Sequence, residues 1–128
     1  MAHPIVFISH FSIRVDGLEA LRLLARDVAA RLETDKPQTS VYLVYLDEEG
    51  MHATFVHVFR DSAAMDRHFE GAQERSTAAM EFMEPERWEI YGLPSDAALD
   101  EIRTAASSAG VPLVWQPEFA AGFSRLPD

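Results

Sequence analysis

Two stretches of this chain are apolar on both strand parities, and no other feature constrains its fold as tightly. In residues 4–14 one parity carries Ile5, Phe7, Ser9, Phe11 and Ile13, and the other carries Val6, Ile8, His10, Ser12 and Arg14. In residues 51–59, Ala53, Phe55, His57 and Phe59 alternate with His52, Thr54, Val56 and Val58. Successive strand side chains point to opposite faces. Strands of this kind therefore need cover on both sides.

The remaining elements follow from periodicity and punctuation. Leu18, Leu21, Leu24, Val28 and Leu32 recur at helical spacing and predict a helix to about Glu33, with Asp16 as its N-cap. Residues 40–46 predict a second strand, Asp47-Glu48-Glu49-Gly50 a hairpin turn, and residues 51–59 the third strand. Asp61 or Ser62 caps a second helical region in which Met65, His68, Phe69 and Ala72 share one stripe. Gly71 breaks or bends it, and helix resumes to about Met83, where Pro85 stops it. Residues 87–91 predict a fourth strand. Ser95 then caps a helix to about Ala109, with Leu99, Ile102 and Ala106 inward and Gly110 at its end. Residues 111–116 predict a short fifth strand, held to an edge or a late start by Pro112, and Phe119 and Phe123 are expected as apolar anchors.

The order β-α-β-β-α-β followed by α-β defines an α+β chain. Its first six elements form the ferredoxin-like arrangement, a four-stranded antiparallel sheet in spatial order 4-1-3-2. We read residues 1–128 as one domain, with residues 93–128 as a C-terminal extension packing on the domain or on a partner subunit. The helices cover only one face of such a sheet. The simplest cover for the other is a second copy, giving a homodimer with sheets face to face; the alternative is a monomer whose tail folds over that face.

Composition narrows the partners. A formal charge of −10 argues against nucleic acid and against anionic membranes. Zero cysteines exclude thiolate nucleophiles, zinc ribbons and iron–sulfur clusters. No apolar run approaches the ~20 residues of a spanning helix. The start Met1-Ala2-His3-Pro4 lacks the basic and apolar segments of a signal peptide, so a cytoplasmic location is expected.

The run Phe59-Arg60-Asp61-Ser62-Ala63-Ala64-Met65-Asp66-Arg67-His68, together with the element order and the turn Val15-Asp16-Gly17, resembles the antibiotic-biosynthesis-monooxygenase-like family. Over about residues 4–92 the resemblance implies a dimeric α/β barrel of ferredoxin-like fold. It implies several activities: cofactor-free oxygenation of quinols and polyketide aromatics, haem degradation, or isomerase or lyase chemistry on a small lactone. Family oxygenases and haem degraders commonly use an asparagine with a tryptophan, and this chain has no asparagine. Its five histidines therefore become the leading candidates.

The resemblance implies that His68, on the second helix, lies near a cavity between helices and sheet, as a general base on a phenolic or quinol proton or as a haem ligand. His10 on the first strand and His57 on the third are the other catalytic candidates; strand register decides whether they share a face. Tyr45, Trp88, Ser12 and Phe55 are the substrate-binding candidates. No His-x-His or HExxH spacing is present, so neither a metal nor another cofactor is expected. The reading is a small monooxygenase-like oxidoreductase acting on an apolar or aromatic ligand. Its rival is a non-catalytic ligand-binding or dimerisation module of the same fold.

Overall fold

The computed structural model describes residues 3–125; the start Met1-Ala2 and the last three residues of the extension lie outside the described residues. The elements are β1 (Ile5–Ile13), α1 (Leu18–Asp35), β2 (Thr39–Leu46), β3 (His52–Phe59), α2 (Ser62–Phe69), α3 (Ala72–Ala79), β4 (Met83–Tyr91), α4 (Asp96–Ala109) and β5 (Leu113–Gln116). The sheet runs β2-β3-β1-β4-β5. Strands β1 to β4 pair antiparallel in the expected order, and β5 adds to the β4 edge in parallel.

Register assigns the two faces. Phe7 lies opposite His57, Ser9 opposite Phe55 and Phe11 opposite Ala53 across β1 and β3. Tyr42 lies opposite His57 on one side, and Trp88 opposite Ser9 on the other. These residues share the helix-covered face, where Ile5, Phe7, Ser9, Phe11, Ala53, Phe55, His57 and Phe59 are buried. Val6, Ile8, His10, Ser12, Thr54, Val56 and Val58 share the other face and are only half-buried. Phe59 and Met65 are fully sequestered at the centre of one core cluster with Ile5, Phe7 and Ile90. Burying one such side chain stabilises the fold by roughly 1.5–3 kcal/mol. A second cluster joins Phe11, Leu21, Ala53, Phe55 and Met83.

The helix punctuation is mostly as read. Asp61 caps α2 by accepting from the Ala64 amide, and Ser95 caps α4 by accepting from the Ala98 amide. Gly71 separates α2 from α3 in the left-handed region, at φ 78°. Asp16 departs from expectation. It takes a left-handed conformation at φ 64°, and Gly17 occupies the N-cap without a side-chain cap. The reason is a tight crossing, since a Cβ on Gly17 would lie 2.9 Å from the Phe82 carbonyl oxygen.

β4 also starts earlier than expected. Met83 already pairs with Ile13, and Pro85 lies within the strand rather than before it. Two features accommodate the proline. The register shifts between His10 and Phe11, and β5 pairs only from Trp88 onward, so no neighbour on that side seeks an amide from Pro85.

The extension packs on the helix side. Leu99 and Ile102 of α4 join the cluster of Phe7 and Ile90, and Leu113 and Trp115 of β5 pack against it. The Trp115 indole N–H donates to the Gly92 carbonyl at 2.9 Å. Thus α4 and β5 do not fold over the open face of the sheet. Phe119 and Phe123 are exposed rather than anchored in the core; Phe119 stacks on His3 with ring centroids 4.2 Å apart.

Candidate functional site

Between the sheet and helices α1, α3 and α4 lies a cavity of about 180 Å³. Leu21, Leu24, Val28 and Leu32 of α1 form its roof, Phe7, Phe11 and Phe55 its floor, and Ile102 and Ala105 of α4 one wall. The extension is therefore part of the site.

The polar groups gather where β2, β3 and α2 meet. His57 is buried, and its Nδ1–H donates to the Phe7 carbonyl at 3.1 Å. That bond fixes the proton on Nδ1 and leaves Nε2 as a bare acceptor. His68 is also buried, and its Nδ1 shares a 2.8 Å hydrogen bond with the Thr39 hydroxyl. A hydroxyl both donates and accepts, so Thr39 accommodates either tautomer of His68. The two imidazoles meet edge to face with centroids 5.1 Å apart. Tyr42 packs against both, at 5.2 Å from His57 and 6.2 Å from His68. Among the described residues no unpartnered side-chain N or O is sealed from solvent. The two Nε2 atoms and the Tyr42 hydroxyl have no hydrogen-bond partner among those residues, and all three residues line the cavity.

Electrostatics keep this cluster neutral. Burial pulls the His57 imidazole down to about 4, against the opposing pull of the Phe7 carbonyl, and the Arg75 charge adds to the fall. Burial brings His68 down to about 3, with His57, Arg75 and Lys36 contributing in that order. Burial raises the Tyr42 hydroxyl to about 12, which Arg75 partly counters. Arg75 itself donates to the carbonyls of His68 at 2.6 Å and Glu70 at 3.3 Å.

Of the residues singled out from sequence, His57, His68, Phe55 and Trp88 line this cavity. His10, Ser12 and Tyr45 do not; they belong to the opposite face of the sheet, where His10 lies across from Thr54 and Tyr45 beside it. His10 and His57 therefore do not meet. His10 instead bonds the Glu89 carboxylate, which also accepts from Arg87 at 3.2 Å and from the Tyr91 hydroxyl at 2.5 Å. The Tyr91 hydrogen bond is foremost in holding the Glu89 carboxyl below its ordinary range. Sequence reasoning missed Ser9, Thr39 and Arg75, and chose Tyr45 over Tyr42. For Arg75 one signal existed, since His68, Ala72, Arg75 and Ala79 follow helical spacing, but Gly71 interrupts the helix between them.

Among the described residues no group of three or more His, Cys, Asp or Glu is placed to hold a metal ion. No helix among them is long and apolar enough to cross a membrane.

No family profile and no curated protein matches the sequence. Solved structures do match in fold. MupZ from Pseudomonas fluorescens superposes with a TM-score of 0.72 at 18% identity, covering 98% of this chain and 91% of that one. Coverage of that extent includes the α4–β5 extension. SnoaB, a cofactor-independent oxygenase from Streptomyces nogalater, gives 0.60 at 14% identity over 73% of this chain and 96% of its own. A putative antibiotic biosynthesis monooxygenase from Deinococcus radiodurans gives 0.58 at 17% identity, over 71% of this chain and 93% of its own. The chain thus has the ferredoxin-like α+β fold of the antibiotic-biosynthesis-monooxygenase-like proteins, with a C-terminal helix and strand added. At these identities the likeness is one of fold, and function rests on the site.

Proposed function

We propose that the chain is a cofactor-independent oxygenase of a small aromatic or quinol-like substrate, with His57 as the base. The observation that carries this reading is the bare His57 Nε2 beside neutral His68 in a mostly apolar cavity. A phenolic hydroxyl of the substrate gives its proton to Nε2. The phenolate, carbanion-like at a ring carbon that bears hydrogen, passes an electron to O₂, and the radical pair closes a C–O bond at that carbon. The resulting peroxide takes the proton back from His57 and loses water together with the hydrogen of that carbon, leaving a carbonyl. One oxygen atom ends in the product and the other in water, and the substrate supplies all the electrons. The apolar walls keep bulk water from quenching the anion.

The cavity volume sets the ligand size. An apolar cavity of ~150 Å³ accepts benzene, so about 180 Å³ suits one or two fused rings. A haem macrocycle exceeds it, which disfavours the haem reading.

The reading includes a homodimer. Val6, Ile8, Val56, Val58 and Leu43 leave an apolar field on the face opposite helices α1 to α4, and a second copy of the sheet is its natural partner.

The test is oxygen uptake with one- and two-ring hydroquinones and hydroxyarenes in the presence of a chelator. Uptake by the wild type that falls about 10²–10⁴-fold in His57→Phe supports the reading. Binding of these compounds without uptake leaves a ligand-binding module of the same fold.

A further inference from the structure

We propose that the ligand of this cavity is a hydroxyaromatic acid, whose carboxylate is held by Arg75 while its hydroxyl faces His57. The inference deepens the oxygenase reading by naming the substrate class of the same site.

The argument starts from a charge inventory. Among the described residues that line the cavity, Arg75 is the one that carries a charge, and none of them is a carboxylate. The chain carries 21 acidic residues against 11 Lys and Arg. Four other arginines pair with carboxylates: Arg14 with Glu84, Arg22 with Glu19, Arg31 with Asp27 and Arg87 with Glu89. Arg75, half-buried, forms no ion pair among the described residues. Its two hydrogen bonds go to main-chain carbonyls, so the remaining guanidinium donors are uncommitted. A half-buried cation without a counter-charge is costly, and an anionic ligand offsets that cost.

The neighbouring groups specify the rest of the ligand. Arg75 lines the cavity together with Tyr42, His57 and His68, and its hydrogen bond to the His68 carbonyl ties its guanidinium to the end of α2 that carries His68. Tyr42 offers a free hydroxyl donor, and His57 Nε2 offers an acceptor. Donors beside one acceptor complement an anionic group next to an O–H. The positive charge also disfavours a metal cation at the histidine pair. A histidine that resists protonation is a weak base. A substrate that arrives with an acidified hydroxyl, and whose new negative charge lies near a guanidinium, suits such a base.

The experiment is titration calorimetry on the full chain with salicylate and 3-hydroxy-2-naphthoate, each compared with its neutral amide. Wild type is expected to bind the acids about 10-fold or more tightly than the amides, as a charge-assisted pair implies. Arg75→Gln should lose that preference while holding the amide affinity. Arg75→Lys, which keeps the charge, should retain part of the preference and shows whether loss of the main-chain bonds alone matters. Wild type that binds amides as tightly as acids, that binds neither, or that loses both in parallel in Arg75→Gln overturns the proposal. Oxygen uptake with the same compounds separates the two readings. Acid-selective binding without uptake sinks oxygenation alone, whereas uptake with neutral substrates only sinks the Arg75 assignment alone.

Discussion

The imidazoles of His57 and His68, brought together from β3 and α2, meet with their planes at 76° and share one apolar cavity wall with Tyr42. Neutral rings pack this way at little cost, whereas a proton on either ring would be buried beside Arg75 and the other histidine. The pair is therefore both a structural element of the core and the reactive end of the cavity.

The first consequence is a pH dependence of stability. Both folded-state values lie below the ordinary 6.5, so the unfolded chain binds more protons than the native one as the pH falls. The contribution is fully present above pH 6.5 and is lost as the pH falls toward about 4 for His57 and about 3 for His68. For His57 it is roughly 3 kcal/mol. Urea unfolding at pH 7 and pH 5 should show part of this loss, about 2 kcal/mol from His57, in the wild type and a smaller total loss in His57→Phe. Equal losses in the two proteins would contradict it.

Tyr42→Phe separates packing from function. The Tyr42 hydroxyl lacks a protein partner among the described residues, so its removal should change stability by no more than about 0.5 kcal/mol. Binding of a hydroxyaromatic acid should nevertheless weaken about 10-fold, as for one lost hydrogen bond to an anion. Denaturation and calorimetry on the same preparation check both outcomes.

Leu24→Ala tests the size limit. Leu24 lines the roof and is only half-buried, so truncation enlarges the cavity at less than the ~2–5 kcal/mol of a fully buried leucine. The ratio of two-ring to one-ring affinity should rise. An unchanged ratio would mean that the roof does not bound the ligand.

Val56→Glu tests the assembly. Val56 lies opposite Ile8 on one side and Leu43 on the other, in the middle of the open apolar face. Sedimentation should give a wild-type dimer and a folded Val56→Glu monomer. The monomer should keep ligand affinity, because the cavity lies on the helix-covered side of the sheet, opposite Val56. A wild type that sediments at 14.4 kDa would remove the dimer from the account.

The strand order, the two helix caps and the Gly71 break were legible because each rests on local chemistry. Periodicity showed that Met65 and His68 share one helix stripe, but it was the family resemblance that pointed to a cavity beside His68. Which parity of β1 met the helices was not legible, because Val6 and Ile8 are as apolar as Phe7 and Phe11. That ambiguity put Ser12 and His10 among the candidates in place of Ser9, and Tyr45 in place of Tyr42. The early start of β4 was hidden by Pro85, whose accommodation depends on a register shift in β1. Arg75 resembles any helix arginine until the fold shows that no carboxylate shares its cavity.

The central claim is that His57 starts oxygen insertion in this cavity. Turnover of a one- or two-ring hydroxyaromatic substrate under ¹⁸O₂, followed by mass spectrometry of the product, tests it most directly. The account predicts one ¹⁸O atom in the wild-type product, the same with chelator present, and almost no labelled product from His57→Phe. Label drawn from water instead of O₂, or undiminished labelling in His57→Phe, would contradict it.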